Sequence, residues 1–118
     1  MKDSPLREKS YRFAIKIVEM ARALQGTEKE YVLSKQVLRS GTAIGALIRE
    51  AEFAQSRADF IHKMSISLKE ANETDYWLNL LFDTKYIDEQ VFKDLDNECK
   101  ELIAMLVATI KTTKSRNP

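Results

Sequence analysis

Turn-forming and helix-breaking residues are scarce, with three glycines and two prolines in 118 residues. That leaves few places for sharp reversals and favours long helices over many short strands. Cysteine is nearly absent as well. The lone Cys99 excludes an intramolecular disulfide, and with a single histidine, His62, no Cys/His zinc set can be assembled within one chain. Long apolar runs are missing: nothing approaches the roughly 18 residues of a membrane span, and the N-terminal MKDSPLREKS lacks the apolar centre of a secretory signal. The expectations are no membrane contact and a cytoplasmic location. Net charge is small too, at +1, which argues against a protein that coats nucleic acid indiscriminately.

What is present is a chain 44% hydrophobic and 31% charged, long enough for one core and too short for two independent ones. One domain over residues 1–118 is expected. The charge is unevenly spread. From Lys35 to Lys69 six basic residues stand against three acidic ones, and from Glu70 to Glu101 ten acidic against three basic; the tail KTTKSRNP is basic again.

Apolar spacing alternates between four and three throughout, the signature of amphipathic helices, and predicts four of them at about 5–25, 28–55, 57–84 and 88–111. Ser4-Pro5 reads as an N-cap followed by proline at the first helical position. The first seam is Leu6, Ser10, Phe13, Ile17, Met20 and Leu24, closed by Gly26 as a left-handed stop. Thr27 and Glu30 form a capping box for the second helix, whose seam is Leu33, Val37, Ser40, Ile44, Leu47 and Ala51. Ser56 and Asp59 open the third, with seam Ile61, Met64, Leu68, Ala71, Asp75, Leu78 and Phe82. Asp88 caps the fourth, Ile87 stapling to Phe92, and its seam is Phe92, Leu95, Cys99, Leu102 and Leu106 to about Lys111, with a frayed tail beyond. Short links between narrow apolar stripes call for an all-α, antiparallel up-down-up-down four-helix bundle.

Two faces are left over. A wheel of the third helix with Leu68 inward sends Ile66 and Trp77 to the opposite side, with Asp59, Lys63, Glu70 and Glu73. An aromatic among pairable charges on a second face marks a subunit interface, so Ile66, Glu70, Glu73 and Trp77 are the oligomer-interface candidates. On the second helix, Ser40-Gly41-Thr42-Ala43-Ile44-Gly45-Ala46 is a run of poor helix formers whose two glycines let another helix approach closely. The run is no phosphate loop, because it lacks the Lys-Ser/Thr ending and a preceding strand. Opposite that helix's core lie Lys35, Arg39, Thr42, Ala46 and Arg49. With Lys63, the three cations are the nucleic-acid-binding candidates, the competing reading being a solvated or ion-paired face.

Catalytic and metal chemistry find no support. Bundle di-metal centres need two Glu-x-x-His repeats, and Asp59-x-x-His62 is the nearest approach. Asp75 on the seam is an acid with a raised pKa or, as favoured here, a buried hydrogen-bonded structural group. Cys99 has no base and orienting acid. No catalytic residue, no metal, no cofactor and no small-molecule substrate are expected.

The segment from Val32 to Ile87 resembles the small four-helix-bundle proteins encoded by intervening sequences within bacterial 23S ribosomal RNA genes. The resemblance covers nearly the whole chain and is densest from Gln36 to Trp77. It is carried by the order and spacing of Gln36-x-x-Arg39-Ser40, Ile44-Gly45-Ala46, Phe60, Leu68, Glu70 and Tyr76-Trp77-Leu78. It implies an up-down-up-down bundle that assembles as a ring-like homopentamer with no known enzymatic activity. A related group, the accessory variability proteins of diversity-generating retroelements, implies nucleic acid and a reverse transcriptase as partners. This chain departs from that group in its near-neutral charge and acidic second half. Arg39 and Arg49 then become candidates for pairing with Glu70 and Glu73 instead of phosphate. The expected function is a non-enzymatic homo-oligomeric interaction module with RNA or a ribonucleoprotein as candidate partner. The alternative is a protein-binding scaffold without nucleic-acid contact, and a distant third is an enzyme using Asp75 or Glu70.

Overall fold

Ser4 accepts the backbone N–H of Arg7 at 3.2 Å and Pro5 takes the first helical turn, so α1 (Pro5–Gly26) starts where a cap and a pre-set φ coincide. A computed structural model of the chain describes residues 4–116; Asn117 and Pro118, the end of the basic tail, lie outside the described residues. Beyond α1 follow α2 (Leu33–Ala51), α3 (Arg57–Asp83) and α4 (Glu89–Ser115), and no strand occurs among the described residues. Ser56 caps α3 by accepting from Asp59 N–H at 3.0 Å, and Asp59 returns the bond by accepting from Gln55 N–H. Asp88 caps α4 through Val91 N–H at 2.8 Å.

Four features of the helix ends differ from expectation, the first being that α2 stops at Ala51 instead of 55, with Glu52 as its C-cap. Gly26 does not adopt the left-handed conformation; Lys29 does, at φ 58°. Helix α2 begins at Leu33 instead of 28, because the Glu30 carboxylate turns back to accept the N–H groups of Val32, Leu33 and Ser34 at 3.0, 2.9 and 2.7 Å. A side chain thus satisfies the orphan donors that a Thr27 cap would have left four residues earlier. Helix α4 runs on to Ser115, past the expected fray at Lys111, with Ile110 still buried.

Named contacts fix the directions. Ile17 meets Gly41 while Ser10 meets Gly45; Ser40 meets Thr74 while Ile44 meets Ser67; Lys16 meets Glu98 while Lys9 meets Glu101. In each pair of helices one number rises as the other falls, which is antiparallel packing around a square of four, 52 Å long and 23 by 20 Å across.

All six α1 seam residues are buried, as are Leu95, Cys99, Leu102 and Leu106 of α4. On α2, Ile48 takes the buried place expected for Leu47. The α3 seam is rotated. Its buried line is Met64, Ser67, Ala71, Thr74, Leu78 and Leu81, leaving Ile61, Leu68, Asp75 and Phe82 half-buried on a flank. The cause is polar pairing: Ser67 Oγ donates to the Ile44 carbonyl at 2.9 Å, and Thr74 Oγ1 shares hydrogen bonds with Ser40 Oγ and the Glu70 carbonyl. A hydroxyl whose bonds are satisfied inside costs little to bury, and a wheel drawn on apolarity alone places it outside. Rotation carries Trp77 away from the outermost line, where it was expected, to a half-buried position packed on the core.

The two α2 glycines do bring another helix close. A Cβ on Gly41 would lie 2.9 Å from Ile17 Cγ2, and one on Gly45 would lie 3.4 Å from the Ser10 carbonyl oxygen.

Candidate interaction surfaces

Because α2 and α3 pack antiparallel, Arg39 comes opposite Glu70 and Glu73. Its Nη2 lies 2.8 Å from Glu73 Oε2 and its Nη1 3.9 Å from Glu70. The same Glu73 oxygen accepts the Trp77 indole N–H at 3.0 Å, so one carboxylate ties the arginine of α2 to the tryptophan of α3. Tyr76 stands beside them, its ring edge-on to Trp77 with centroids 5.0 Å apart, and is 59% exposed. Ile66 is half-buried on the same helix. In the sequence Tyr76 stands out only within Tyr76-Trp77-Leu78, and its adjacency to Trp77 was the available signal for adding it to the interface candidates.

The other cations divide. Lys63 pairs with Glu50 at 2.9 Å, and the Glu50 carboxylate, by hydrogen bond and charge, holds the lysine above its ordinary pKa. Arg49 lies over the Tyr11 ring, 5.1 Å from its centroid, a cation–π contact and not the acid pairing weighed for it. Lys35 is exposed, with no carboxylate within 4.0 Å among the described residues. Two of the four candidate cations are therefore neutralised within the chain. The remaining two stand fourteen residues apart on α2, about 21 Å along a helix axis.

A second surface lies across α1 and α2. A cleft of about 350 Å³ is floored by Ser10, Ala14, Gly45 and Ala46, with Tyr11 and Arg49 at its rim. Tyr11 is 54% exposed there, and Ile15, one turn further along α1 and outside the cleft's lining, is 45% exposed. Two large apolar side chains at i and i+4 on the outside of α1 were legible on a helical wheel.

Inside the α3–α4 seam, Asp75 meets an unexpected partner. The Asp96 carboxyl beside it, then burial, push Asp75 up to about 6, against the opposing pull of Lys100 and Asn79. Asp96 is buried, with one oxygen held by Lys100 at 3.3 Å and Oδ1 lacking a donor. Once protonated, Asp75 is the neighbouring group that can offer that oxygen a donor. Cys99, next to the pair, donates to the Ala71 carbonyl at 3.2 Å, and burial followed by the two acids pushes its thiol up to about 12. Such a thiol is unreactive at neutral pH. His62 is exposed. Among the described residues, no three His, Cys, Asp or Glu side chains come together in a way that can hold a metal, and no helix is long and apolar enough to cross a membrane.

Comparison with known proteins agrees with the four-helix fold. Residues 2–108 match the family model for the 23S rRNA-intervening sequence protein. A crystal structure from Bacteroides thetaiotaomicron, described as a protein of unknown function from the S23 ribosomal protein family, superposes with a TM-score of 0.89 at 53% identity. The alignment covers 90% of this chain and 98% of that one. Curated proteins offer no match to the sequence.

Proposed function

The chain belongs to the 23S rRNA-intervening sequence protein family, and from that premise we propose that it works without catalysis, as a self-associating module that binds protein and not phosphate. The reading is carried by the α2–α3 flank, where the exposed Tyr76 lies against Trp77 beside an arginine already held by Glu70 and Glu73. Phosphate binding needs uncommitted cations, since its affinity comes from the counterions they displace. Here Arg39 and Lys63 are occupied. Aromatic side chains supported from behind by a packed core, with charges at their edge, are instead the composition of a protein contact.

In the assembly, Tyr76 and Ile66 of one copy bury their apolar surface against a neighbour, and the Arg39–Glu73 pair sits at the rim, fixing register more than adding affinity. The mode is heterologous, an α3 flank against a different surface of the next copy, so the contacts repeat until a ring closes. Five copies is the number carried over from the resemblance.

The test is Tyr76→Arg, which leaves the core untouched. Light scattering should show a lower mass than the parent, with unchanged helical circular dichroism. An unchanged mass overturns the α3 contact. Nucleic acid co-purifying in a salt-sensitive, nuclease-sensitive form would overturn the protein-only reading.

A further inference from the structure

Of the four neighbouring helix pairs, α1 and α4 touch least. Their middle is bridged by charge: Lys9 reaches Glu101, and Lys16 is held between Asp94 and Glu98. Beyond Lys16, toward the α3–α4 turn, the seam opens into a cavity of about 510 Å³. Its floor is the core itself, formed by Met20, Leu24, Ile87 and Leu95, each under a tenth exposed. Val91 and Tyr86 stand at its mouth, 37% and 38% exposed. From Lys16 to Thr27 the α1 wall runs eleven residues, about 17 Å at 1.5 Å per residue. This is room for three turns of a docked helix.

The rim is acidic. Glu19, Glu28, Asp88 and Asp94 line it, and the one lining cation, Lys16, is already committed. Glu19 and Glu28 are exposed and have no cation within 4.0 Å among the described residues. An anionic ligand is repelled by such a rim, and a bare cation has no use for the apolar floor. A ligand with both characters matches both parts.

We infer that this groove is a docking site for a basic amphipathic helical segment of a partner protein. An apolar side chain would enter between Val91, Ile87 and Leu24, and flanking lysines or arginines would meet Glu19 and Glu28. This is recognition of the helix-in-groove kind, with apolar anchors at i and i+3 or i+4. The inference rests on the reading of the chain as a protein-binding module, but uses a different face from the one assigned to self-association.

The experiment uses the intact assembled protein and two fluorescein-labelled fourteen-residue amphipathic peptides, one of leucine and lysine, the other of leucine and glutamate, followed by fluorescence anisotropy. The lysine peptide should bind and the glutamate peptide should not. Glu19→Lys/Glu28→Lys should weaken the lysine peptide at least tenfold, and so should Val91→Asp. The latter adds an acid to the first turn of α4, where the helix dipole tolerates it. Both variants should keep the parent's circular dichroism and mass. Tyr76→Arg should bind the peptide like the parent, so that loss of self-association and loss of docking are read separately. The inference is overturned if neither peptide binds, if both bind alike, or if the groove variants bind like the parent. A fall in assembly mass for Val91→Asp would also overturn it, by assigning the groove to a second copy of the chain.

Discussion

Asp75 sits on the flank of an apolar seam, where a carboxylate facing a second carboxylate disfavours its own ionisation. Its folded-state pKa is raised from 3.8 to about 6, chiefly by Asp96. A raised pKa means that the protonated form stabilises the fold. The contribution is complete below 3.8 and is lost as pH rises through about 6. Asp96→Asn removes the repulsion and supplies a donor. The variant should lose this pH dependence and be more stable than the parent at neutral pH, as read by denaturant midpoints on either side of that interval. A parent whose stability does not change across it would show that folding does not raise the Asp75 pKa. Cys99 lies beside the pair with its thiol pushed up to about 12. A thiol reagent should therefore modify it only as fast as the protein unfolds, and rapid labelling of the native protein would refute the burial.

At the scale of helices, the α1–α2 contact depends on Gly41. Alanine there gains helix propensity worth about 1 kcal/mol, but its methyl meets Ile17 Cγ2 at 2.9 Å, and overpacking typically costs about 1–3 kcal/mol. Gly41→Ala should destabilise, and combining it with Ile17→Ala should cost less than the sum of the two single changes, because the smaller residue removes the clash. The start of α2 depends in the same way on Glu30. Burial pulls its pKa up, but the N–H groups of Leu33, Ser34 and Val32 outweigh that and hold it below 4.5. Glu30→Ala should cost about 1 kcal/mol at neutral pH, in line with lost N-caps. The difference from the parent should disappear as acid protonates the Glu30 carboxylate through its lowered pKa.

These cases also show what could be read from residue order. The caps at Ser4, Ser56 and Asp88, the α1 and α4 seams and the close glycine packing were all legible, since each depends on residues within a few positions of one another. The α3 face was not. Its inward side is set by Ser67 and Thr74, whose hydroxyls find partners on α2 that no local pattern reveals. Of the candidate site residues, the meeting of Arg39 with Glu70 and Glu73 was foreseen as a pairing. That pairing came from the family resemblance; the stacking of Arg49 on Tyr11 and the meeting of Asp75 with Asp96 were not foreseen, because a wheel of one helix does not show which side chains of its neighbour lie opposite.

For the whole molecule, a half-buried Trp77 has two consequences. It packs on the core and also supports Tyr76 from behind, so Trp77→Ala should lower both stability and assembly mass, whereas Tyr76→Arg should lower mass alone. An interface anchor of this kind can be worth about 2 kcal/mol or more per contact, and in a closed ring the loss recurs at every contact. Self-association is read from the mass of the unmodified protein in solution over a concentration series. A self-associating chain gives a discrete multiple of 13.6 kDa that persists on dilution and in high salt, and a single-chain mass at every concentration would rule self-association out.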